Sequence, residues 1–130
     1  MYRATTFSIR VTATPHFAPE RSEPGMGRYF WTYTIEIANQ GDIQVQLLER
    51  FWRITDANGG VETVRGPGVV GETPIIEPGD KFSYTSGCAL TTASGLMSGS
   101  YRMVDANGRA FDVEIPAFSL DSPMERRILN

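Results

Sequence analysis

Residues 65–72 read Arg-Gly-Pro-Gly-Val-Val-Gly-Glu, and the glycines at 66, 68 and 71 have the G-x-G-x-x-G spacing that cradles dinucleotide phosphates. That chemistry needs a strand entering the turn, bared backbone N–H groups, and a helix N-terminus meeting the pyrophosphate. A strand enters over 61–65, but Pro74 and then Pro78-Gly79 prevent a following helix. The dinucleotide fold is excluded. What survives is an anion-binding nest in which Arg65 and the backbone of Gly66, Gly68 and Gly71 hold a di- or polyphosphate. Glu72 and Glu77 would repel that anion unless a divalent cation such as Mg²⁺ intervened, and Asp80 could share the cation. The competing expectation is that these glycines only shape a loop between strands.

Other candidate chemistry is sparse. His16 is the single histidine, and it lies in the Pro- and Gly-rich segment 14–27, TPHFAPERSEPGMG, which reads as a mobile loop after the first strand. A Ser/His/Asp or Cys/His site would depend on it, and a mobile loop does not supply the fixed geometry such sites need. No catalytic residue is assigned. Cys88 is the single cysteine, which rules out an intramolecular disulfide. One His and one Cys do not make a transition-metal site, and no metal ligand is assigned.

The elements that would position these groups are strands. Phe7, Ile9, Val11 and Ala13 alternate with polar residues, as do Tyr29, Trp31, Tyr33, Ile35 and Ile37 in the next run. A turn at 39–42 leads to Ile43, Val45 and Leu47. The apolar phase then slips at Leu48 and resumes at Trp52 and Ile54, which predicts a bulge or a change of sheet. Asp56-Ala57-Asn58-Gly59 suits a type I′ hairpin turn, and the same tetrapeptide recurs at 105–108. Both copies resemble the opening of a calcium loop but lack its downstream Glu. Further strands are expected over 61–65, 80–88, 99–105 and 109–115, the last ending at Pro116. About seven short strands with regularly spaced turns predict an all-β, antiparallel two-sheet sandwich, formed by a single domain over 1–130.

Composition narrows the partners. The formal net charge is −3, with 12 Lys and Arg against 15 Asp and Glu, so the cationic excess needed for nucleic-acid binding is missing. The Arg126-Arg127 doublet reads as a solvated tail. Residues 82–101 carry no charge, yet eleven of the twenty are Ser, Thr or Gly, too polar to span a bilayer. No membrane association and a cytoplasmic location are the expectations. Neighbouring strand residues point to opposite faces, so Phe51-Trp52 and Phe30-Trp31 each offer one ring for the surface. Phe30, Phe51 and Trp52 are the candidate anchors for an unidentified protein partner.

Three linked runs carry a family resemblance: residues 45–59 (VQLLERFWRITDANG), 64–87 (VRGPGVVGETPIIEPGDKFSYTSG) and 95–120 (GLMSGSYRMVDANGRAFDVEIPAFSL). With the closing Leu129-Asn130 they resemble the bacterial ApaG family from Thr6 to the end of the chain. Ala93 departs from that pattern, standing where many relatives carry Pro. The resemblance implies an immunoglobulin/fibronectin type III-like sandwich and a genetic link to cobalt and magnesium tolerance. It also implies an interaction module of the kind found within larger eukaryotic proteins. The leading expectation is a non-enzymatic binding module acting through a sheet face or inter-strand loops. The alternative is a nucleotide- or pyrophosphate-binding protein using the 65–72 loop.

Overall fold

A computed structural model describes residues 1–123; the Arg126-Arg127 doublet and Leu129-Asn130 lie outside the described residues. Among the described residues nine strands follow in order: β1 (Tyr2–Thr6), β2 (Ile9–Phe17), β3 (Tyr29–Asn39), β4 (Val45–Asp56), β5 (Val61–Pro67), β6 (Ile75–Ile76), β7 (Lys81–Leu90), β8 (Gly95–Asp105) and β9 (Ala110–Leu120). One sheet has the order β1-β2-β3-β7, the other β5-β4-β8-β9, with β6 paired to β4 beyond the end of β5. Every pairing is antiparallel, so the expected two-sheet sandwich is what the chain forms.

The alternation in the sequence becomes the core. Trp31, Tyr33, Ile35 and Ile37 of β3 and Val11 and Ala13 of β2 face Leu47, Trp52, Tyr101, Val113 and Phe118 of the other sheet. Tyr33, Trp52 and Phe118 tie the layers together, with centroid separations of 5.3 Å for Tyr33–Trp52 and 5.9 Å for Tyr33–Phe118. Such pairs add to the free energy of burying the rings. The slip at Leu48 is a bulge: Leu47 pairs with Met103, but Glu49 pairs with Arg102.

The two long sides of the sandwich differ. On one, β9 packs across onto β1 and β2. The Tyr2 hydroxyl meets Ser119 Oγ at 2.8 Å there, and the Glu114 N–H donates to Thr6 Oγ1 at 3.1 Å. On the other side β5 and β7 remain apart, and a cleft opens between the sheets.

Several local expectations are corrected. The first run is a hairpin rather than one strand, turning at Phe7 and Ser8 with φ of 46° and 67°. Phe7 shares the parity of Ile9, Val11 and Ala13 although it lies in the turn, which hid the turn and the strand before it. Strand β2 runs through Pro15 and His16 to Phe17, so His16 is an exposed strand residue paired with Thr32. Its neighbour β1 reaches no further than Ala13, so Pro15 loses no ladder partner on that side. The rest of 14–27 is held by two 3₁₀ turns and a bridge between Glu23 and Arg28. Strand β9 passes Pro116 because an extra residue is absorbed between Met97–Phe118 and Gly99–Ile115. Neither Asp-Ala-Asn-Gly turn is type I′. Only Gly59 and Gly108 have positive φ, at 85° and 83°, while the Asp56 and Asp105 carboxylates each accept two backbone N–H groups.

Gly99 sits where β8 crosses β4, and a Cβ there would fall on the Phe51 carbonyl oxygen and carbon. Neither backbone has room to yield. Gly99→Ala is expected to destabilise the fold by about 3 kcal/mol, read from denaturant unfolding.

Candidate functional site

The cleft on the open side measures about 460 Å³, within the size range of small-molecule sites. Along β5 the inward positions are Glu62, Val64 and Gly66; along β7 they are Tyr84, Ser86 and Cys88. Trp52, Met97 and Val64 supply an apolar floor, and Val69, 1% exposed, closes one end.

Arg50 is the charged group the cleft is built around, and the bulge at Leu48 puts it there. Past the extra residue the inward positions of β4 become Arg50, Trp52 and Ile54. Arg50 pairs across the sheet with Gly66, and a Cβ on Gly66 would lie 3.0 Å from Arg50 Nη2. The guanidinium therefore lies flat on bare backbone. Its Nη1 donates to the carbonyl oxygens of Pro67 at 2.9 Å and Gly68 at 3.0 Å.

The three motif glycines serve three separate needs. Gly66 makes room for Arg50. Gly68, at φ 60°, passes so close to the Glu72 carbonyl that no Cβ fits. Gly71, at φ 80°, is the second central residue of a two-residue turn closed by hydrogen bonds between Val69 and Glu72 in both directions, 2.8 and 2.9 Å. The first central residue is Val70 at φ 44°, a strained conformation for a β-branched side chain. The N–H of Gly68 is spent on the Leu48 carbonyl at 2.8 Å. The loop thus turns its carbonyls to Arg50 and spends the Gly68, Val69 and Glu72 N–H groups on pairing.

The other candidate residues are dispersed. Arg65 lies on the outer face of its sheet, its Cζ 4.8 Å from the centre of the Phe51 ring, away from the cleft. Arg65 and the loop glycines do not converge on one anion. Trp52 is 3% exposed, so it is a core residue and not a surface anchor, while Phe51 takes the outer face. Phe30 is half-buried. Its ring lies across Gly87 and beneath Arg21, whose Cζ is 3.8 Å from the ring centre. The segment expected to be mobile covers it. Glu77 accepts a hydrogen bond from Gln44 at 2.6 Å, and among the described residues no three His, Cys, Asp or Glu side chains cluster as metal ligands would. No described helix is long and apolar enough to cross a membrane; the uncharged run 82–101 forms most of β7 and β8.

Burial sets the protonation of the cleft. It pushes the Cys88 thiol up to about 11, with Glu62 adding to the effect, so the sulfur stays neutral near pH 7. Tyr33 and Tyr84 are likewise raised by burial, and Tyr84 shares a short hydrogen bond with Tyr101 inside the core. Sequence reasoning missed Arg50, Tyr33, Tyr84 and Ser86. The signal for Arg50 was present: with the phase reset at Leu48, it shares parity with Trp52 and Ile54.

The family model described as the ApaG domain matches residues 19–105. That span omits β1, β2 and β9, although Val11 and Val113 sit in the same buried core. A protein named ApaG from Methylocella silvestris is 59% identical over the whole of both chains, and another from Azorhizobium caulinodans is also 59% identical over both. A crystal structure described as that of an ApaA protein from Bordetella pertussis is 43% identical, covers 92% of this chain and 97% of its own, and superposes with a TM-score of 0.88.

Two substitutions test the loop account. Val70→Asn relieves the strained turn while leaving Val69 in place, and is expected to raise unfolding free energy by about 1 kcal/mol. Arg50→Met removes two charge-assisted hydrogen bonds and should cost about 2–3 kcal/mol. It should also speed hydrogen exchange at the Gly68 amide.

Proposed function

The chain belongs to the ApaG domain family, and on that premise we propose that it works as a non-enzymatic binding module for a protein partner. One observation carries this reading: the cleft opens between β5 and β7, each of which has one long edge without a strand partner among the described residues. An extended segment of a partner can add its backbone to such an edge while alternate side chains enter the cleft. Val61, Val70 and Ile75, exposed by 49%, 54% and 58%, lie along the β5–β6 edge and supply apolar contact beside it.

The polar groups of the cleft suit holding better than bond-making. The Cys88 sulfur is a neutral thiol, Tyr84 is tied to Tyr101, and Arg50 holds the loop. Phe30 and Phe51 contribute only as half-covered aromatic surface, so the interaction is assigned to the open side instead of the sheet faces. The same reading has the protein act in the cytoplasm, in line with the interaction role that the family resemblance implies.

The experiment is site-directed photo-cross-linking in cell extract. Benzoylphenylalanine at position 62 or 89, exposed and lining the cleft, should give one discrete cross-linked protein product, and at exposed Leu96, on the outer face of its sheet, none. Equal products at all three positions, or none at 62 and 89, would contradict the assignment.

A further inference from the structure

We propose that the cleft receives the carboxyl terminus of an extended polypeptide, with Arg50 taking the terminal carboxylate; this rests on the binding reading above and specifies what is bound. A guanidinium carries five N–H donors. The two on Nη1 are used by Pro67 and Gly68, while those on Nε and Nη2 have no partner among the described residues. Arg50 has no carboxylate within ion-pair distance among them either. A half-buried, unpaired cation with free donors in a cleft is a site for an anion, and a planar fork matches a carboxylate.

Three further features choose the kind of anion. First, Val69 and the turn that follows it close the cleft at the Arg50 end. A chain cannot run on past that wall, so the carboxylate must be terminal and not an internal Asp or Glu. Second, the floor is apolar, formed by Trp52, Val64 and Met97, and the facing wall offers the Ser86 hydroxyl and a protonated Tyr33. An apolar side chain next to the terminus fits between them. Third, Glu62 stands at the other end, paired with Ile54 four residues along β4 from Arg50. At strand spacing that is about 13 Å away. Its charge disfavours a second anion there and accepts donors from a peptide backbone. The slot therefore has the polarity and length of roughly three to four extended residues ending in a free carboxylate.

A library of N-acetylated random hexapeptides with free carboxyl ends, and its C-terminally amidated counterpart, would be panned against the full chain. The free-acid pool should enrich, individual hits should shift the Trp52 indole N–H and Val64 amide signals, and each hit's amide should bind at least about tenfold more weakly. Arg50→Met should lose the hits. Because Arg50 also holds the loop, Ser86→Leu serves as the second variant: it narrows the slot without touching Arg50 and should weaken binding at least about tenfold. Equal enrichment of acids and amides, hits whose shifts map elsewhere, or a folded Ser86→Leu protein with unchanged affinity would overturn the proposal. If the acid pool yields no binder while position 89 still cross-links to a protein, the carboxylate claim falls and the broader binding role stands. If neither gives a product, both fall.

Discussion

One extra residue in β4 governs the open side of this protein. Leu48 lets the strand gain a residue on its partner β8, and every side chain after it changes face. That places Arg50, a strongly hydrated cation, between the sheets with Trp52 and Ile54. Burying such a group is costly unless it is hydrogen-bonded. The 66–68 backbone answers that need: Gly66 gives the guanidinium a flat bed, and two carbonyls accept from it. The bulge and the departure of β5 from the sheet occur at the same level, since the Gly68 N–H donates to Leu48 itself.

Seen from this interaction, the glycine-rich stretch is an adaptation to the arginine and to a tight turn. Its glycines meet a steric demand at Gly66, a close backbone approach with positive φ at Gly68, and a positive φ at Gly71. The same arrangement leaves the sandwich closed by β9 on one side and open by a cleft on the other. Closure gives the core its continuity from Ile9 to Leu120; the opening gives the molecule a large recess that holds a cation without an ion-pair partner among the described residues.

Much of the fold could be read from residue order, because a strand buried on one face must alternate. The alternation at Tyr29–Ile37 and the slip at Leu48 each became the feature it predicted. The turn at Phe7-Ser8 was illegible: it has no Gly or Asn to mark its positive φ, and Phe7 continues the parity of Ile9, Val11 and Ala13. Pro15 and Pro116 read as stops, yet one lies past the end of its neighbour and the other beside a bulge, where a missing N–H is harmless. The site was harder still. Gly66, Gly68 and Gly71 advertise a phosphate cradle by spacing alone, while their true partners, Arg50 and Glu72, are fixed by cross-strand register and loop closure. Trp52 and Phe51 show the converse, since their opposite faces were legible but which one met solvent depended on the bulge.

The central claim is that Arg50 is pinned inside the cleft to the carbonyls of Pro67 and Gly68. Nitrogen-15 NMR of the arginine side chains tests it directly, with exposed Arg53 as the internal reference. Slow rotation about Cζ–Nη1 and slow solvent exchange at Arg50, beside fast averaging at Arg53, is the result this account requires. Arg50 signals as mobile and as rapidly exchanging as those of Arg53 would contradict it.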